Sequence, residues 1–188
     1  MIKIGITGSL ASGKSTASKI LSRRYGPLFS ADVAVRELYQ NNEFKNLVRK
    51  VFHIKRRNQI KFYLKKLILK NKLNLKKLEK IIHPLVRKKM KKFTLRNKDK
   101  KTLFYEIPLL IESKLMKFFD IIIFIKSKKK IRLRRFKSKK GDKKLFNLLN
   151  GQQMSDKMKV KFCDHVVVNE KNINILKKDL LSIMTKYE

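Results

Sequence analysis

Gly8-Ser9-Leu10-Ala11-Ser12-Gly13-Lys14-Ser15 meets the pattern G-x-x-x-x-G-K-[ST] at each of its fixed positions. Ahead of it Ile2, Ile4 and Ile6 alternate as in a strand, and behind it Ser15-Thr16-Ala17-Ser18-Lys19-Ile20-Leu21 can continue as a helix. Strand, glycine loop and helix, in that order, are what a phosphate cradle requires. Glycine lets the backbone curl until successive N–H groups point inward at phosphate oxygens, and the helix start adds the positive end of its dipole. In such a loop Lys14 reaches the β- and γ-phosphates and the Ser15 hydroxyl ligates Mg2+. The chain holds only 6 glycines in 188 residues, yet Gly5, Gly8 and Gly13 fall in its first thirteen positions, which argues against a chance match.

Composition narrows the classes that remain. A length of 188 residues suits one α/β domain with an insertion, and 43% hydrophobic content excludes compositional disorder. The charge is extreme, with 50 Lys+Arg against 14 Asp+Glu and a net +36, which invites a nucleic-acid reading. The bases, however, run from Lys3 to Lys186 among Leu, Ile and Phe at helical spacing and form no separate arm, which favours solvated helix faces. Cys163 is the only cysteine, so no intrachain disulfide forms and a reducing compartment is expected. Met1 leads directly into the first strand, and the most apolar run, Ile121-Ile122-Ile123-Phe124-Ile125, is too short to span a bilayer. A soluble, cytoplasmic protein without a membrane partner is expected.

Five short apolar runs predict buried strands at Ile2–Thr7, Pro27–Ser30, Thr102–Ile107, Asp120–Ile125 and His165–Val168. Helical patterns lie between them, so the fold class is α/β: a roughly five-stranded parallel sheet flanked by helices. All three prolines are expected at element edges, with Pro27 entering the second strand, Pro84 interrupting a helical stretch and Pro108 closing the third strand. Residues 43–93 read as an all-helical insertion, with apolar Phe62, Leu64, Leu67 and Ile68, then Leu75, Leu78, Ile81 and Ile82. Residues 127–144, rich in arginine and ending in a glycine-containing loop, read either as a lid over a nucleotide or as a solvated basic helix. Residues 1–42, 94–126 and 145–188 then form the core.

A phosphate loop alone leaves ATPases, GTPases and small-molecule kinases open. No Asn-Lys-x-Asp guanine-reading motif is present, and the chain is short for a motor or transporter. A small kinase needs a carboxylate near the acceptor hydroxyl, and Asp32, just beyond the second strand, stands where open α/β sheets place their ligands. It could equally cap the helix running through Val35, Leu38 and Tyr39.

At this point the chain resembles the dephospho-CoA kinases, P-loop enzymes that pass the ATP γ-phosphate to the ribose 3′-hydroxyl of 3′-dephospho-CoA. The resemblance begins with Gly5-Ile6-Thr7-Gly8 through Thr16 and Ser30-Ala31-Asp32. It continues with Leu78-Glu79 before His83-Pro84-Leu85-Val86-Arg87, then Pro108-Leu109-Leu110-Ile111-Glu112 and Arg132-Leu133. It ends with Gln153 and Asp164-His165-Val166-Val167-Val168-Asn169. The phosphate loop is common to many enzymes, whereas the His-Pro segment followed by Pro-Leu-Leu-x-Glu at this separation is far more specific.

The resemblance implies a P-loop kinase core, a helical coenzyme-binding insertion and a lid. It makes Asp32 the base or orienter of the 3′-hydroxyl, with Lys14 and Arg132 as further catalytic groups. Ser9, Leu10, Ala11, Ser12, Gly13, Lys14, Ser15 and Thr16 would bind ATP, with Arg135 closing over the phosphates, Asn169 beside the adenine and Ser15 on Mg2+. Thr7, Asp32, His83, Pro84, Arg87, Pro108, Leu109 and Glu112 would form the acceptor side. The implied partners are ATP, Mg2+ and 3′-dephospho-CoA, with no specific nucleic acid and a monomeric or weakly oligomeric state. Another small-molecule kinase, such as a nucleoside monophosphate kinase, and an ATP-dependent nucleic-acid-binding protein are the alternatives. The chain departs from the family pattern in four places. Ser30 replaces the first acid of Asp-Ala-Asp, and Ser9-Leu10-Ala11 replaces Gly-Ile-Gly. Phe136 stands where the second lid arginine is usual, and Glu170-Lys171 follows Asn169 where glycine is usual.

Overall fold

The computed structural model describes residues 1–55, 59–71 and 73–187, so residues 56–58 and 72 of the expected insertion lie outside it. The chain forms two compact units, one of Met1–Ser30 with Asn97–Glu188 and one of Ala31–Arg96. In the first unit β1 (Ile2–Gly8), β2 (Leu28–Ser30), β3 (Thr102–Glu106), β4 (Ile121–Lys126) and β5 (His165–Val168) form one sheet in the order β2-β3-β1-β4-β5. Every pairing is parallel, with Ile6 opposite both Glu106 and Ile123, and Ser30 opposite Glu106. These strands match the five apolar runs to within two residues at each end.

A parallel sheet buries both faces, which explains why β4 reads Ile-Ile-Ile-Phe-Ile without alternation. Helices α1 (Lys14–Tyr25) and α9 (Ile173–Met184) cover one face. Ala17, Ser18 and Leu21 of α1, and Leu176, Leu180 and Met184 of α9, recur at three- and four-residue spacing and are buried. With Ile4, Ile6, Phe104, Ile123 and Ile125 they make the main core. The starts of two strands are pinned by acids: Asp120 Oδ2 accepts from the Lys3 amide and Asp164 Oδ2 from the Ile122 amide, both at 2.7 Å. The remaining helices of this unit are α6 (Lys129–Ser138), α7 (Lys143–Gly151) and α8 (Asp156–Val160).

The described residues of the second unit carry α2 (Ala31–Leu38), α3 (Asn42–Phe52), α4 (Ile60–Lys70) and α5 (Leu73–Arg96), with no strand among them. Its own core gathers Leu38, Phe44, Val48, Phe52, Ile54, Ile60, Leu64 and Leu78. Asn41 starts α3 by accepting a hydrogen bond from the Phe44 amide. Here the proline expectation needs correction, because Pro84 lies inside α5, which runs on for 24 residues without a break. A proline in a helix interior costs about 3 kcal/mol. Leu78, Ile81, Ile82, Leu85 and Val86 all pack on this core around it, while Pro84 itself is exposed, so packing on both sides outweighs the lost backbone bond. Among the described residues no helix is long and apolar enough to cross a membrane.

Candidate active site

The loop between β1 and α1 turns tightly, with the Ser12 amide donating to Ser9 O at 3.1 Å. Gly13 sets the start of α1 with φ +102°, a conformation that L side chains rarely adopt, and a Cβ there would lie 2.1 Å from Asn169 Nδ2. No side chain caps α1 and no acid occupies its first turn, so the positive end of the helix dipole is left for an anion. Lys14 is buried, and its Nζ donates to Ser9 O at 2.9 Å, folding the ammonium back across the loop. Ser15 and Thr16 are exposed at the helix start. Ala11 adopts φ +59°, the left-handed region that favours glycine. A non-glycine residue pays roughly 1–2 kcal/mol to stay there.

Two acids beside the loop carried no sequence assignment. Glu106, buried at the C-terminal end of β3, accepts a hydrogen bond from the Ser15 hydroxyl. Asp156, in the first turn of α8, accepts one from the Ser9 hydroxyl. An acid at the end of the strand next to the loop strand was the available signal for Glu106, whereas nothing local marks Asp156. A hydroxyl and a carboxylate together, ahead of a helix dipole and a lysine, are oxygen donors that suit hydrated Mg2+ held against polyphosphate. Ser12 Oγ is buried without a hydrogen-bond partner, an orphaned polar atom inside the loop. The residues present therefore fit both ATP and Mg2+.

The arginines of 127–144 meet the loop from outside. Arg132 is buried, which sets aside the reading of α6 as a merely solvated basic helix. Its Nε donates to Ser127 O at 3.0 Å, and its Nη1 donates to Asn150 Oδ1 at 2.7 Å and Leu10 O at 3.3 Å. Burial lowers its pKa from the ordinary arginine value, and the nearby Asp156 carboxylate partly restores it. Arg135 lies one helical turn on and donates to Ser12 O at 3.2 Å. Phe136, in the usual arginine's place, instead packs its ring 5.6 Å from that of Phe146 on α7.

Asn169 is buried after β5 and its Nδ2 donates to Ser12 O at 2.9 Å, so it flanks the loop. Glu170 behind it accepts from the Lys128 amide at 3.0 Å and pairs with the Lys128 ammonium at 3.1 Å, steadying the start of α6. The stretch after β3 lies in this unit as well. Thr7 Oγ1 donates to Pro108 O at 3.2 Å, Leu109 is half-buried, and Glu112 forms an ion pair at 2.8 Å with the fully buried Lys159. Glu112 Oε1 also accepts from the Met154 amide at 3.1 Å.

The structure thus brings together Thr7, the loop residues Ser9 to Thr16, Pro108, Arg132, Arg135 and Asn169 in one unit. Leu109 and Glu112 lie in it as well, and the remaining sequence-predicted residues, Asp32, His83, Pro84 and Arg87, belong to the helical unit. Asp32 is the second residue of α2, inside its first turn rather than capping it, and is exposed. On α5, His83 is half-buried while Pro84 and Arg87 are exposed; α5 packs against α2, and Lys89 pairs with Glu37 across them. This unit also carries a cavity of about 870 Å³ whose lining includes Lys45, Arg49, Lys61 and Tyr39.

Cys163, near this site in the chain, is chemically quiet. Burial first, then the Asp164 carboxylate, pushes its thiol up to about 12 against a smaller opposing pull from Lys159. At pH 8 only about one thiol in 10⁴ would be ionised, since the thiolate is the nucleophile. The folded chain should resist iodoacetamide at pH 8 and become labelled only on unfolding, as mass spectrometry would read; rapid native labelling would contradict that environment.

Comparison with known proteins agrees with this geometry. The family model described as Dephospho-CoA kinase matches residues 2–174. The dephospho-CoA kinase of Bartonella quintana (strain Toulouse) is 33% identical over 186 residues, 96% of this chain and 95% of its own. A Thermus thermophilus protein of solved structure superposes with a TM-score of 0.82 at 25% identity, over 100% of this chain and 98% of its own. The dephospho-CoA kinase from Campylobacter jejuni has the same fold, with a TM-score of 0.68 at 24% identity over 98% and 96% of the two chains. With a phosphate loop intact at its fixed positions and a family match over nearly its whole length, this chain belongs to the dephospho-CoA kinase family.

Proposed function

We propose that this chain transfers the γ-phosphoryl group of ATP to the ribose 3′-hydroxyl of 3′-dephospho-CoA, forming coenzyme A and ADP. The observation that carries the reading is the family match over residues 2–174, in a chain that keeps the loop from Gly8 to Ser15. In the reaction the bond from Pγ to the β–γ bridging oxygen breaks, the 3′-oxygen bonds to phosphorus, and the hydroxyl proton leaves. The transition state is loose, so positioning and charge neutralisation supply most of the rate.

Lys14, the helix start and the loop residues 9–16 hold the β- and γ-phosphates. Arg132 and Arg135 add two guanidinium charges against the loop, and Asn169 flanks the adenine. Ser15, with Glu106 behind it, would hold a magnesium ion, which would supply charge neutralisation to the polyphosphate. Asp32 orients the 3′-hydroxyl and takes its proton as the O–P bond forms. His83, Pro84 and Arg87 hold the coenzyme side, where an arginine can fork onto a phosphate. Thr7, Pro108, Leu109 and Glu112 are assigned to the acceptor side as well. The helical segment 43–93 is the coenzyme-binding insertion, 127–144 the lid and the remainder the core. The protein works in the cytoplasm as a monomer or weak oligomer.

A coupled ADP-release assay offering dephospho-CoA, nucleoside monophosphates and shikimate in parallel, with and without Mg2+, tests the assignment. Dephospho-CoA should give the highest kcat/KM, and chelation with EDTA should stop the reaction. A nucleotide or shikimate outperforming it would overturn the choice of acceptor.

A further inference from the structure

The segment from Asn150 to Lys159 touches the phosphate loop at two consecutive residues. Asp156 accepts from the Ser9 hydroxyl, and Gln153 Oε1 accepts from the Leu10 amide at 3.0 Å. Asn150 Oδ1 and Leu10 O share the Arg132 guanidinium, at 2.7 and 3.3 Å. The segment is itself anchored. Lys159 is fully buried against Glu112 at 2.8 Å, the Met154 amide donates to the same carboxylate at 3.1 Å, and Ser155 caps α8 through the Met158 amide. Asp156 is therefore held on a short, pinned helix and does not hang from a loose loop.

We infer that Asp156 is a positioning residue that holds the phosphate loop in its nucleotide-receiving shape through the Ser9 hydroxyl. Two observations point the same way. First, the contact joins residues 147 apart in sequence, just before Ala11, whose left-handed backbone carries strain that surrounding contacts must over-determine. Second, the hydroxyl that makes the contact belongs to Ser9, a buried side chain of the loop itself. Serine and alanine leave the loop fewer conformations than glycine would, and the Asp156 side chain braces the shape that remains. Charge does not explain the acid. A carboxylate beside a triphosphate site repels its ligand, and Asp156 offsets part of the Arg132 charge. Its hydrogen bond is the favourable contribution.

This inference rests on the reading of the loop as the ATP site. Asp156→Ala should weaken ATP binding by about tenfold, the low end of what one hydrogen bond to a charged group contributes. KM for dephospho-CoA and kcat should stay within about twofold, because the loop still reaches the same loaded geometry. Asp156→Asn keeps an acceptor for the Ser9 hydroxyl and should restore most of the lost affinity. Ser9→Gly removes the contact from the other side and should weaken ATP binding to the extent that Asp156→Ala does, and the double variant should bind ATP no more weakly than either single one. Isothermal titration with ATP, steady-state kinetics and a thermal melt read these outcomes. Should Asp156→Ala fail to fold, Ser9→Gly carries the comparison. Unchanged ATP affinity in Ser9→Gly, an Asn variant as weak as Ala, or losses that multiply in the double variant would each overturn the brace alone. A wild-type chain that binds no ATP would overturn the reading of the loop, and this inference with it.

Discussion

Lys14→Ala should lower phosphoryl transfer by about 10³-fold, with a melting temperature close to that of the wild type. Removing one preorganised charge-stabilising donor costs on the order of 10²–10³ in rate, and Lys14 is a full charge rather than a neutral donor. A loss of 10³ corresponds to about 4 kcal/mol of transition-state stabilisation. The Lys14 ammonium is already gathered into the loop at Ser9 O, so little reorganisation is needed when phosphate arrives. Because the side chain is buried, Lys14→Met is the better control: it keeps the aliphatic stem and loses only the charge. Single-turnover measurements on both variants check the expectation. Retention of more than about a tenth of the wild-type rate in the Met variant would remove Lys14 from the catalytic set.

Asp32→Asn carries the second large effect. A positioned general base contributes typically 10²–10⁴-fold, so kcat should fall by about 10²-fold or more while ATP affinity is retained. A competing structural role is separable. Asp32 is exposed in the first turn of α2, where an acid complements the helix dipole by about 0.3–1 kcal/mol. That role predicts a slightly lower melting temperature and unchanged turnover. Turnover, ATP titration and melting of one variant therefore separate the two; an unchanged kcat would leave Asp32 as a helix-end acid only.

The strands were readable because a parallel sheet needs short apolar runs, and these stand out between lysine-rich helices. Ile121 to Ile125 could hardly be anything but a central strand. Pro84 was misjudged for the opposite reason. Local chemistry forbids proline in a helix interior, and only the packing of Ile81, Ile82, Leu85 and Val86 on either side reverses that rule. Asp32 divided evenly between cap and site by sequence, and the helix boundary at Ala31 moved it inside the first turn. Arg135 stood one position from the family's register. It nevertheless reaches the loop, because its three-residue spacing from Arg132 keeps both on one face of α6.

By itself the sequence determined what neighbouring residues encode: strand alternation, the glycine turn, helix periodicity, and a phosphate loop with its lysine and hydroxyl. Those properties depend on spacings of two to eight residues and survive without knowledge of the rest of the chain. Only the tertiary structure decided which distant groups hold that loop. Glu106 meets Ser15 across 91 positions and Asp156 meets Ser9 across 147, while Lys159 finds its partner in Glu112. Such pairs leave no periodic trace, because hydrogen bonds and ion pairs form between whatever the fold brings within about 3 Å, whatever the separation along the chain.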